Sequence, residues 1–320
     1  MKKKIVIALS VTVGVIAVLF LAMSAYIGTQ VVAGSTQLVT NESTSGVSDT
    51  FWETYGMDYD AFCEKYEVNR VEITSSFDGH IIPADHILAE GAQENGKTVV
   101  MVHGLGGNRL TNYPVAEMFL EMGFNVLTYD QRSSNENTAE KTTFGYWEKY
   151  DLIDCIDYIS ELAPDKSIGV WGTSFGGATA CQAAGYENTD EKIDFLVLDC
   201  PVSSMEWMVN EEMKGMDIGI PIEYMTWCGN IANRIMLGFD YDDADSAEAA
   251  KNVDGIAVLV INSKADELTP YFMGKDIYDS IKSQNKYIWT VEDSEHTEMW
   301  LDYNEQYREE VGKLVEAAGK

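Results

Sequence analysis

From Thr98 onward, short runs of apolar, largely β-branched residues alternate with longer stretches whose apolar positions recur at helical spacing. The runs Thr98–His103, Asn125–Asp130, Ser167–Trp171, Phe195–Asp199, Ala257–Ile261 and Lys286–Val291 predict strands. Helices are predicted near Val115–Met122 and over Tyr146–Leu162 and Phe175–Ala184. Strands apolar on both faces belong inside a mostly parallel sheet, and their alternation with helices implies a three-layer α/β sandwich. Ahead of them, a helix over Phe51–Tyr66, an alternating strand Val71–Ser75 and a turn at Asp78-Gly79 into a second strand predict an antiparallel edge. In sheets of this kind the ligand site lies at the carboxyl ends of the strands.

The N-terminus breaks this pattern. Lys2, Lys3 and Lys4 precede a charge-free apolar run, Ile5–Ile27, of 23 residues. That exceeds the roughly 7 to 15 of a signal-peptide core, so a signal anchor is expected. A cleaved signal peptide with its site near Ala22-Met23-Ser24 is the alternative. Because positive residues stay inside, the rest of a single-pass chain is expected outside the cell membrane, or secreted if the segment is cleaved. Small polar residues over 34–50 read as a stalk. The expected organisation is therefore a membrane segment over 1–30, a stalk over 31–50 and one domain over 51–320, with an irregular insert at about 201–254.

Composition narrows the ligand. With 52 acidic against 22 basic side chains the net charge is −30, and a field of that sign repels phosphate backbones, which excludes nucleic acid as a partner. Five cysteines, Cys63, Cys155, Cys181, Cys200 and Cys228, show no CxxC spacing and no paired histidines, so neither a metal site nor a cofactor is expected. An odd number cannot pair completely; a disulfide among some of them stays open.

The strand ending at Trp171 runs into Gly172-Thr173-Ser174-Phe175-Gly176-Gly177 and then an alanine-rich helix. A serine on a sharp strand-to-helix turn needs neighbours without Cβ so that its hydroxyl projects, and the helix N-terminus behind it supplies partial positive charge. Serine at its ordinary pKa is a poor nucleophile, so a base within hydrogen-bond reach and a group that orients the base are required. The histidines are His80, His86, His103 and His296, and only His296 follows Ser174.

On His103-Gly-Leu-Gly-Gly-Asn108, Tyr129-Asp-Gln-Arg132, Gly172-Thr-Ser-Phe-Gly176, Asp266-Glu-Leu-Thr-Pro270 and His296, the chain from about Val71 onward resembles the α/β-hydrolase superfamily. Within it, the chain resembles the bacterial serine-aminopeptidase-like and prolyl-oligopeptidase-like hydrolases. After Arg132 it departs from their Gly-containing turn, having Ser133-Ser134-Asn135-Glu136. The resemblance implies the chain order Ser, acid, His, hence Ser174 as nucleophile, Asp266 as orienting acid and His296 as base. Glu267 and Asp293 are rivals to Asp266. It also implies oxyanion donors in the backbone N–H groups of Leu105 and Phe175, and a structural rather than catalytic His103. The insert would be a helical cap, whose Met205, Trp207, Met208, Met213, Met216, Tyr224, Met225, Trp227, Met236 and Phe239 suit an apolar acyl pocket. Three functions follow: a carboxylic-ester hydrolase; a peptidase of short peptides, whose N-terminus acidic cap residues such as Glu206, Glu211, Glu212, Asp217 and Glu223 would hold; or a non-catalytic surface binding module. An Asp-nucleophile dehalogenase is excluded by Ser174.

Overall fold

The computed structural model describes residues 2–216 and 218–319, so Asp217 of the acidic insert lies outside the described residues. The strands are β1 Glu67–Thr74, β2 Ile81–Leu88, β3 Thr98–Val102, β4 Asn125–Tyr129, β5 Ile168–Thr173, β6 Phe195–Asp199, β7 Ala257–Ser263 and β8 Lys286–Val291. They form one sheet in the order β1-β2-β4-β3-β5-β6-β7-β8. The β1–β2 and β2–β4 pairings are antiparallel and all others parallel.

The helices in chain order are α1 Lys2–Thr36, α2 Asn41–Thr44, α3 Val47–Tyr55, α4 Tyr59–Lys65, α5 Tyr113–Glu121, α6 Glu148–Leu162, α7 Phe175–Ala184, α8 Met205–Lys214, α9 Ile222–Met236, α10 Ser246–Ala250, α11 Tyr271–Ser280, α12 Met299–Asp302 and α13 Asn304–Ala317. Two compact units result. One holds residues 37–204 and 244–320; the other joins residues 1–36 to 205–243.

In the larger unit alternate residues of each strand serve opposite faces of the sheet. Val99, Met101 and Val197 pack with α5 and α13 on one side, while Val100, Val102 and Leu198 pack with α6, α7 and α11 on the other. Burial on both sides is why these runs carry no polar alternation. The Phe51–Tyr66 helix of the sequence reading is instead two helices, α3 and α4. Gly56 at φ +64° stops the first, and the Asp58 side chain caps the second by accepting the Ala61 N–H at 3.0 Å.

Residues 31–50 correct the expected stalk. Residues 31–36 continue α1, and the polar stretch beyond is tied into the larger unit rather than free. Asn41 Nδ2 donates to Asn135 O, Asn108 Nδ2 donates to Thr44 O, and the Asn135 N–H donates to Thr44 Oγ1 at 2.7 Å. Short polar side chains that read as linker composition serve here as backbone partners. They also hold the divergent Ser133–Glu136 loop, where Ser133 and Asn135 take positive φ. The insert is shorter than expected as a separate body: residues 244–254 pack in the larger unit, where Ser246 N–H donates to Ser203 O at 2.7 Å and Gln182 Nε2 to Ala244 O at 3.3 Å.

Candidate active site

The turn from β5 into α7 places Ser174 at φ 55°, ψ −119°, a conformation that costs a non-glycine residue about 1–3 kcal/mol. Neighbouring backbone holds it there: the Ser174 N–H donates to Asp199 O at 2.8 Å, and Ser174 O accepts from Ala178 N–H at 3.1 Å. Gly176 is required by contact. A Cβ there would lie 2.2 Å from Val102 O and 2.6 Å from His103 O, so only glycine lets α7 press against the end of β3.

Ser174 faces an imidazole. His296 Nε2 lies 2.9 Å from Ser174 Oγ, and its Nδ1 lies 2.7 Å from Asp266 Oδ2. Asp266 sits three residues beyond the end of β7, buried, in a turn that saturates it. Its Oδ1 accepts the N–H groups of Leu268 (2.9 Å) and Thr269 (2.8 Å), and its Oδ2 also accepts the Thr269 hydroxyl at 2.8 Å. Burial alone would raise this carboxyl, but the His296 ring and the Thr269 donors outweigh it and hold the pKa below the ordinary carboxylate value. Nδ1 therefore carries the proton toward Asp266, leaving Nε2 free to accept the serine proton.

For His296, burial opposes the charged ring, while the Cys200 sulfur and Asp266 favour it and raise the pKa above 6.5. Burial pushes the Cys200 thiol up as well, so near neutrality it is uncharged and Asp266 supplies the attraction.

The rivals stand elsewhere. Glu267 and Asp293 are exposed, and Asp293 accepts the Tyr303 hydroxyl.

Three nearby groups were not singled out as site residues in the sequence. Asp199, at the end of β6, accepts the Tyr307 hydroxyl at 2.9 Å, and Tyr307 in turn accepts the Trp171 indole N–H at 2.8 Å. Burial pushes the Asp199 carboxyl up to about 6, opposed by Tyr307 and by the charge of His296. Tyr55, the last residue of α3, donates to Thr297 O at 3.3 Å, next to His296. Cys200, Asp266 and His296 offer ligand atoms within 4.8 Å of one another. The two ring nitrogens already face Asp266 and Ser174 and the thiol is held protonated, so the cluster suits proton transfer better than metal ligation. The signal for Asp199 was its position at the end of the strand beside the elbow strand, which only the β5–β6 pairing reveals.

The loop after β3 lies against the elbow: a Cβ on Gly104 would be 3.4 Å from Ser174 Cβ. His103 is buried and held neutral, its pKa pushed down to about 4 chiefly by burial. Its Nε2 accepts the Gln131 N–H at 3.0 Å, so Nδ1–H donates to Gly104 O at 2.8 Å, shaping the loop. Asp130 and Arg132 act in buried ion pairs, Asp130 with Arg109 at 2.6 Å and Arg132 with Asp151 at 2.9 Å. Phe175 N–H is the first of α7 and has no intrahelical acceptor to reach. Leu105 is partly exposed on the loop.

A family model described as the alpha/beta hydrolase fold matches residues 97–221, a span that includes the His103 loop and the elbow. The YqkD protein of Bacillus subtilis (strain 168) is 24% identical over 254 residues, covering 79% of this chain and 81% of that protein. The Pyrococcus furiosus esterase Pf2001 superposes with a TM-score of 0.64 at 22% identity, covering 81% of this chain and 93% of that one. An esterase from Exiguobacterium antarcticum superposes with a TM-score of 0.54 at 18% identity, covering 78% and 99%. Sheet order, family model and structural neighbours agree: the chain has the α/β-hydrolase fold, and its residues 97–221 match the model of that family.

Proposed function

We propose that the chain is a serine hydrolase that cleaves a carboxylic ester or related acyl substrate through an acyl-enzyme. The observation that carries this is the continuous line Ser174 Oγ, His296 Nε2, His296 Nδ1, Asp266 Oδ2, each step at hydrogen-bond distance. As Ser174 Oγ attacks the acyl carbon, its proton passes to Nε2 and the carbonyl oxygen gains the charge. The N–H groups of Leu105 and Phe175 are the donors for that oxyanion. The imidazolium then protonates the departing alcohol, and water repeats the sequence to release the acid and regenerate Ser174.

Esterase neighbours favour an ester over a peptide. The acidic side chains Glu206, Glu211, Glu212 and Glu223 of the insert support the peptidase alternative, and a substrate panel separates the two. The purified chain is expected to turn over p-nitrophenyl esters of short or medium acyl chains at least tenfold faster than aminoacyl-anilides. The reverse ranking would make it a peptidase.

The same reading places the hydrolase outside the membrane, anchored by α1. Residues from Ile5 to Leu21 expose their apolar side chains all round, and α1 is long enough to cross a bilayer. Protease added to intact cells should digest the domain; protection until lysis would reverse the orientation.

A further inference from the structure

Within the smaller unit, α1 does not stand alone over its last four turns. Gly28 crosses α9 so closely that a Cβ would lie 2.4 Å from Cys228 O, and a Cβ on Gly229 would lie 2.5 Å from Val31 Cγ1. Small residues at both sides of a crossing are the device by which helices pack in lipid, where apolar burial gives no drive. Nearer the N-terminus, the Phe20 ring meets that of Tyr224 at a tilt with ring centroids 5.9 Å apart, and the hydroxyls of Ser24 and Tyr224 lie 2.6 Å apart. Ile16, Leu19 and Met23 form an apolar groove with Ile220 and Tyr224.

These contacts set a depth. If Ile5–Ile27 fills the hydrocarbon layer, its midpoint is Ile16, and a rise of about 1.5 Å per residue puts Phe20–Ser24 roughly 6 to 12 Å from the midplane. The hydrocarbon edge is about 15 Å away. Tyr224 and Ile220 therefore sit at the level of lipid tails, where the paired Ser24 and Tyr224 hydroxyls satisfy each other.

The face of α9 beside this contact is apolar and bare. Trp227, Ile231 and Ile235, at successive i, i+4 positions, are 55%, 42% and 78% exposed. Met216 and Ile218, in the segment leading to α9, are exposed as well. On a 3.6-residue helix Glu223 and Arg234 fall on the edge of this stripe away from α1.

We infer that the segment leading into α9 and its first turn are a second membrane element, dipping into the outer leaflet against α1 with Ile218, Ile220 and Tyr224 among lipid acyl chains and Trp227 at the hydrocarbon edge in contact with lipid. The inference rests on the reading of α1 as a membrane anchor. Its occupant is the bilayer, because Ile220 and Tyr224 meet α1 between Ile16 and Ser24, within the depth of the hydrocarbon layer. The lipid is bound through its tails: the insert, 205–243, carries eight acidic and two basic side chains, which gives anionic headgroups no attraction.

The full chain reconstituted in phosphatidylcholine vesicles, with and without bromine on the acyl chains, tests this. Sedimentation with the vesicles after alkaline carbonate reports the anchor, and tryptophan quenching by the brominated lipid reports the stripe. Trp227→Phe is expected to stay anchored and to lose most of the quenching seen in the unaltered chain. An anchored Trp227→Phe protein quenched as strongly as the unaltered chain overturns the placement of α9 while leaving the anchor standing. Release by carbonate overturns both. A stripe shielded from bromine in a chain that runs as a dimer in nanodiscs assigns it to a second copy and equally overturns the inference.

Discussion

Ser174→Ala is expected to lower kcat by about 10³-fold or more with the fold intact. The substitution keeps Cβ and removes only the oxygen that faces His296 Nε2 at 2.9 Å. On the proposed reading, what remains is the loop after β3 and the substrate-binding surface, with no covalent intermediate. The backbone at φ 55° strains alanine as it strains serine, so the melting temperature should move little. The measurement is steady-state turnover of the best p-nitrophenyl ester, beside circular dichroism and labelling with a fluorophosphonate. Undiminished labelling of Ser174→Ala at wild-type rate would show that another residue is the nucleophile.

Asp266→Asn is expected to cost up to about 10⁴-fold in kcat with little change in KM. The amide keeps the shape but removes the charge that favours the proton on Nδ1, and its NH2 can turn toward the ring and select the wrong tautomer. It also changes the pH profile in a defined direction. Only the neutral ring accepts the serine proton, so activity rises with pH as His296 loses its charge. In the unaltered chain Asp266 raises the His296 pKa, placing the acid limb of kcat/KM above 6.5. Without that carboxylate a group that favours the charged ring is lost, and the residual activity should show its acid limb at lower pH. Glu267→Gln and Asp293→Asn, altering exposed side chains, should leave both rate and profile nearly unchanged. An active Asp266→Asn beside a dead Glu267→Gln or Asp293→Asn would move the acid to that residue.

Much of the architecture was legible in linear order because its cause is local. The runs Phe195–Asp199 and Lys286–Val291 appear as strands over those same residues, since a strand buried on both faces leaves a continuous apolar signature. The strand, Gly172–Gly177 and the alanine-rich helix marked the elbow for the same reason: steric demands at one turn fall on residues that are neighbours in the chain. Boundaries set by single backbone conformations were not legible in this way. The stop at Gly56 and the start at Asp58 divide what periodicity alone joined.

Composition was misleading where a polar residue's partner is far away in the chain. Asn41 and Thr44 belong to a stretch that reads as linker, and only folding brings Asn135 to them across more than ninety residues. Likewise Trp227 and Met236 of the insert read as pocket lining, but both are exposed, and Trp227 continues a stripe beside α1. Sequence by itself determined the α/β class, the apolar N-terminal helix and the presence of a serine, an acid and a histidine in that order, because each depends on neighbouring residues or on residue type. Tertiary structure decided which acid lies 2.7 Å from the imidazole, that Asp199 and Cys200 crowd the same ring, and that α9 packs on α1. Those are distances between segments remote in the chain, and they follow from sheet order and helix crossing, which no local pattern encodes.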